Sequence, residues 1–226
     1  MDGGGRTLLA YDGCTLDLAV YAVAYLAVTN KMVVVEEQFT KATDVSRYRV
    51  GMLVALASIL MMFTALSSAY VVRAASANDW VPLAMPRVLL LSTGLILISS
   101  ITIDAARRKL RAGFDGAYTQ LLLVTVLLGF GFLASQLFAW KQLARQGVFL
   151  TTNPHSSFFY LLTATHGLHL LGGLLALIFL LVRTLRHTEK ASGAATRLAA
   201  VDAVSIYWHF MDALWIYLFL LLFLWR

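Results

Sequence analysis

A single cysteine, Cys14, occurs among the 226 residues. That scarcity excludes an intrachain disulfide, a thiolate zinc site and a cysteine-ligated iron–sulfur cluster built from this chain alone. Charge is also scarce: 13% of residues are Asp, Glu, Lys or Arg, about half the ~25% typical of soluble domains. Apolar residues take up the difference, at 60% of the chain with a mean hydropathy of +0.76. This is the composition of an integral membrane protein. The apolar runs also lack sustained polar–apolar alternation, which disfavours a β-barrel. No repeat of fixed period is visible, so an inverted-repeat transporter gains no support.

Five runs are long enough to cross about 30 Å of hydrocarbon as α-helices: Val50 to Val72, Val88 to Ala106, Ala117 to Trp140, Ser156 to Val182 and Leu198 to Trp225. The expected fold class is therefore an all-α integral membrane protein with five transmembrane helices. Between the runs, Pro82 and Pro86 block helix continuation and Trp80 suits an interface. Asn153-Pro154 breaks the chain again, with Ser156 or Ser157 expected to cap the next helix.

The net charge of +6 does not indicate a nucleic-acid partner, because its placement follows the membrane. Thirteen Lys and Arg residues precede the first span or fall in the second and fourth loops, and five lie on the other side. That asymmetry puts the N-terminus in the cytoplasm and Arg226 outside a bacterial-type or organellar inner membrane. Residues 1–49 are expected to form a loosely attached cytoplasmic tail and residues 50–226 the five-helix domain. Within the tail, Leu18 to Val28 is too short for a span and fits an interfacial segment better. A signal-peptide core is disfavoured, since the segment before it is acidic apart from Arg6 and lacks a clear small-residue cleavage site, and a functional start at Met32 is the other alternative.

Polar residues inside the runs are the candidates for function. On the last helix, Asp202, Ser205, His209 and Asp212 follow i, i+3, i+7, i+10, which places them on one face. A charge at mid-membrane costs several kcal/mol unless paired or wetted, so Asp212 requires a partner, with His209 the nearest candidate. The fourth helix carries His166 and His169 on a shared face, and Gly172 with Gly173 permits close helix approach. Three histidines on two helices suit heme or metal ligation if they converge. The alternative, favoured here, is a seam in which His166 and His169 meet His209 and Asp212 and satisfy groups that lipid cannot. A proton relay through Asp104, Asp202, His209 and Asp212 is a further reading, against which Asp104 and Asp202 are expected to balance the nearby arginines. His155 and His187 are expected to be solvated, and Trp140, Trp215 and Trp225 to be belt residues.

Two long stretches carry a resemblance. "NPHSSFFYLLTATHGLHLLGGLLAL" followed by "YWHFMDALWIYLFLLLFL" resembles subunit III of heme-copper cytochrome c oxidases, as does "RYRVGMLVALASILMMFTALSSAYVVR" at the first span. The resemblance covers Arg47 to the end and looks like the short five-helix bacterial form. It implies a non-catalytic subunit of an aerobic terminal oxidase in the bacterial inner membrane, supporting oxygen reduction to water and proton uptake. It further implies oxidase subunits I and II and membrane lipids as partners, and phospholipid in a cleft between helices. Heme and copper would lie in the partner subunits and none in this chain.

The family commonly has a glutamate on the first of these helices, where this chain has Ile59, so a role resting on that carboxylate is in doubt. The catalytic subunit would need six ligand histidines and the copper-carrying subunit two cysteines; five histidines and one cysteine are present. Alternatives are subunit III of a quinol oxidase, an accessory subunit of nitric oxide reductase, a free-standing di-heme cytochrome and a small proton-coupled transporter.

Overall fold

A computed structural model describes residues 50–76, 88–150, 153–186 and 194–224, together with the isolated positions Thr29 and Lys31. Expectations for the N-terminal segment, Cys14, Met32, Trp80, Pro82, Pro86, His187 and Trp225 lie outside the described residues. Among those described, five helices are long and apolar enough to cross a membrane: α1 Val50–Ser76, α2 Val88–Arg111, α3 Asp115–Arg145, α4 Pro154–Leu185 and α5 Ala194–Leu224. All five belong to one compact unit, Arg49–Arg226. Most ends extend past the apolar runs read from sequence, because apolar residues report only the hydrocarbon layer whereas a helix continues into the interface. Arg107, Arg108, Lys109 and Arg111 thus form the last turns of α2, where cations also suit the helix C-terminus.

Local chemistry accounts for where the helices stop and start. After α2, Phe114 N–H bonds Lys109 O and Gly113 N–H bonds Leu110 O, with Gly113 at φ 79°. After α3, Val148 N–H bonds Leu143 O and Gly147 N–H bonds Ala144 O, with Gly147 at φ 78°. Both are Schellman endings, which need a residue that tolerates the left-handed region. The start of α4 differs from expectation: Asn153, not a serine, is the N-cap. Its side chain accepts from Ser156 N–H while Ser156 Oγ accepts from Asn153 N–H, and Pro154 occupies the first turn.

Helices α2, α3, α4 and α5 form a closed ring of neighbours, α2 against α3, α3 against α4, α4 against α5 and α5 against α2. Helix α1 packs on α4 through Phe63, whose ring meets His166 and His169, and through Tyr70, which meets His155 and Phe158. Hydrocarbon tails are as apolar as leucine, so helices associate through close packing and hydrogen bonds. Large rings fill the centre: Trp208, Trp215, Phe63, Phe132 and Phe159 are fully buried. Trp215 is therefore a core residue and not a belt residue. Its indole N–H donates to Thr93 Oγ1 of α2 (3.1 Å), just as Trp208 donates to Ser99 Oγ (2.9 Å).

Such rings need room. Gly129 of α3 faces Leu174 and Trp208, and Gly173 of α4 faces the Tyr207 ring of α5, where an added Cβ would lie 2.8 Å from Cε1. The sequence expectation of close approach at Gly172 and Gly173 is thus met by a tyrosine ring. Gly167, by contrast, has open space beside it. Gly173→Ala should lower stability by about 1–3 kcal/mol through overpacking, while Gly167→Ala should be neutral or slightly stabilising. Thermal midpoints in mild detergent measure the difference.

Candidate functional site

The polar stripe of α5 faces α2. At its start, Asp202 accepts from Arg107 Nε and from Arg111 Nη2 (3.0 and 3.1 Å) on α2. Arg197, one turn earlier, donates to Asp115 of α3 (2.7 Å) and lies over the Tyr118 ring. Asp202 thus balances the basic end of α2, as expected.

Two turns along α5, His209 is gripped by two α2 side chains. Its Nδ1 lies 2.6 Å from Ser100 Oγ and its Nε2 lies 3.2 Å from Asp104 Oδ1. With Nε2–H donating to the carboxylate, Nδ1 accepts from the serine hydroxyl. The His209 ring therefore turns to α2 and away from the α4 histidines. Asp212, buried to 3% exposure, sits beside Ser100, and neither carboxylate oxygen makes a hydrogen bond of ordinary geometry. The Ser205 hydroxyl is likewise buried without a hydrogen bond.

The α4 histidines do other work. His166 is fully buried among the rings of Trp215 (5.3 Å), Phe132 (5.9 Å) and Phe63 (6.4 Å), and neither ring nitrogen is hydrogen-bonded. His169 donates from Nδ1 to its own helix at Thr165 O (2.8 Å), while its backbone carbonyl accepts from Tyr207 OH of α5 (2.8 Å). So the α4–α5 contact runs through Tyr207 and Gly173, and the anticipated meeting of His166 and His169 with His209 and Asp212 is replaced by an α2–α5 seam. His155, expected to be solvated, is buried against Tyr70. Among the described residues no group of three His, Cys, Asp or Glu side chains is arranged to hold a metal ion. Ile59 is partly buried against the apolar core of α1 and its neighbours.

Asp104 and the arginines of α2 were legible in the sequence, but its hydroxyl partners Thr93, Ser99 and Ser100 were not, although a signal was present. Thr93, Ser100, Asp104, Arg107 and Arg111 recur at seven-, four-, three- and four-residue steps along an otherwise apolar helix, which places them on one face. Two further hydroxyl pairs join α2 to α3, Ser92 with Ser135 (2.7 Å) and Thr102 with Thr125 (2.8 Å). Gln136 of α3, also missed, is buried with neither amide atom hydrogen-bonded.

Comparison with known proteins bears on the same stretch of chain. The family model for cytochrome c oxidase subunit III matches residues 15–226. A "Probable cytochrome c oxidase subunit 3" of Nocardia farcinica is 36% identical over 174 residues, covering 75% of this chain and 84% of that protein. A "Cytochrome c oxidase subunit 3" of Synechocystis is 30% identical over 178 residues, covering 77% of this chain and 74% of that protein. A "Quinol oxidase subunit 3" of Bacillus subtilis is 28% identical over 165 residues, covering 72% and 79%.

The seam yields a graded expectation. Asp202→Ala removes one carboxylate from two guanidinium groups at a three-quarters-buried position and should cost about 1.5–3 kcal/mol. Asp115→Ala, whose side chain is 53% exposed, should cost less than about 1 kcal/mol. Equal effects on the thermal midpoint would contradict the difference drawn here between the two pairs.

Proposed function

Because the chain belongs to the cytochrome c oxidase subunit III family, we propose that it fastens to the catalytic subunit of its oxidase and leaves electron transfer to other polypeptides. It is a supporting, multi-pass membrane subunit of a heme-copper terminal oxidase. The observation that carries the proposal is the use made of its ionisable groups. His209, Asp104, Asp202 and Arg107 are engaged with one another across α2 and α5, and His166 lies enclosed by aromatic rings on another helix. Two imidazoles poised on opposite sides of an open space would favour a di-heme cytochrome, and His209 and His166 are turned to different neighbours.

In this proposal subunits I and II are the partners, heme and copper reside in them, and this chain holds neither. Phospholipid occupies an apolar cleft between helices at its surface. The N-terminus lies on the cytoplasmic side of a bacterial inner membrane and the C-terminus outside. The excess of Lys and Arg before α1 and in the α2–α3 and α4–α5 connections supports that orientation, and the bacterial relatives support the membrane. Support for proton uptake does not run through the position of Ile59, since a hydrocarbon side chain carries no proton. The electron donor is selected elsewhere in the complex, because relatives named for cytochrome c and for quinol oxidases are both similar to this chain.

Extraction in mild detergent should bring down this chain with a heme-bearing polypeptide. The chain stripped from that complex should show no Soret absorbance, and the heme spectrum of the remaining complex should be unchanged. A Soret band that follows the isolated chain would contradict the proposal.

A further inference from the structure

His209 is the middle residue of α5, with fifteen helical residues on either side. Asp104 lies seven residues before the end of α2, about 10 Å in from that end. Both lie inside helices long and apolar enough to cross a membrane, yet their side chains remain 35% and 38% exposed. Oδ1 of Asp104 takes the His209 bond, with Arg107 at 3.8 Å, while Oδ2 makes no hydrogen bond among the described residues. Within hydrocarbon, acyl chains offer the remaining carboxylate oxygen no donor.

The outer stripe of α4 shows the contrast: Leu161, Leu168, Leu171, Leu175 and Phe179 are exposed there and wholly apolar, as a lipid-facing surface requires. Beside the His209–Asp104 pair the surface is also shaped. A groove of about 320 Å³ runs between α1 and α5, lined by Leu60 and Thr64 on one side and Phe210, Ala213 and Tyr217 on the other. Ala213 lies one turn beyond His209, so groove and polar pair adjoin. Exposed Leu97 and Ile101 of α2 and Ile206 of α5 surround the pair with apolar contact area.

We propose that this α2–α5–α1 face is the docking surface for a transmembrane helix of another oxidase subunit, which places a hydrogen-bond donor level with Asp104 and an apolar side chain in the groove. The inference rests on membership of an oxidase complex and adds which face of the bundle is covered. A helix fits both features, because a donor on one turn and a hydrocarbon side chain on the next supply what the pair and the groove each lack. Lipid satisfies only the groove.

Photo-reactive benzoylphenylalanine placed at Ile101 or Ile206, in the intact oxidase in its native membrane, should form an adduct with another oxidase subunit. The same probe at Leu168 or Leu175 serves as the lipid-facing control. Absence of any protein adduct from both Ile101 and Ile206, in preparations where the chain still co-purifies with a heme-bearing polypeptide, overturns the assignment. Failure to co-purify at all would instead remove the premise of oxidase membership. As a second measurement, Asp104→Leu combined with His209→Leu should cut the amount retained in the purified oxidase about tenfold or more, through loss of a charge-assisted bond across the interface. Asp104→Asn, which keeps an acceptor oxygen, should stay bound. Retention of the double leucine variant at the unaltered level contradicts the proposal, and the cross-linking decides if that variant fails to accumulate in the membrane.

Discussion

Hydrocarbon tails neither donate nor accept a hydrogen bond, so a polar atom that enters the bilayer is stabilised by a protein partner and penalised without one. That constraint explains the α2–α5 seam more directly than any other feature. Arg107 and Arg111 hold Asp202 near one end, Ser100 and Asp104 hold His209 two turns further along α5, and Ser99 and Thr93 receive the indoles of Trp208 and Trp215. Each bond joins the same two helices, at successive levels along them. The serines and threonines also return a hydroxyl proton to their own helix, Ser99 to Ile96 O and Thr93 to Leu89 O, so their hydroxyls are bonded on both sides.

The opposite half of the bundle is held differently. Between α3, α4 and α5 the contact is mostly a matter of shape, with Gly129 and Gly173 leaving room for Trp208 and Tyr207. Aromatic rings meet edge to face around His166, as Phe132 does with Trp215 at 5.0 Å and 87°. The imidazole of His166 is enclosed by carbon on the sides that Phe63, Phe132 and Trp215 cover.

Much of the architecture was legible in the sequence because bilayer thickness imposes a length on every apolar run. The five spans and the one-sided polar stripe of α5 follow from counting and from the 3.6-residue period. Which helix the stripe faces did not follow, since periodicity gives a direction around one helix and says nothing of its neighbour. The pairing of Asp202 with the basic end of α2 was legible from charge, whereas His209 was matched to α4 and its partners are Ser100 and Asp104 of α2. The buried state of Trp215 and His155 was hidden for a similar reason. Tryptophan and histidine suit both an interface and a core with one hydrogen bond, and only packing distinguishes them. Asn153 and Ser156 share the α4 cap, so choosing a serine captured half of a reciprocal motif.

A subunit built in this way adds surface and rigidity to an oxidase, and in the function proposed above the redox groups belong to other polypeptides. Its ionisable residues act as fasteners, most of them inward between α2 and α5, with one pair left partly open on the outer face. The most direct test of that account is a double-mutant cycle on Ser100→Ala and His209→Leu, read as the thermal release of this subunit from the intact oxidase. Coupling of about 1 kcal/mol between the two sites is predicted for side chains bonded across a helix interface, whereas effects that add within ~0.3 kcal/mol would show that the two residues act independently and would contradict it.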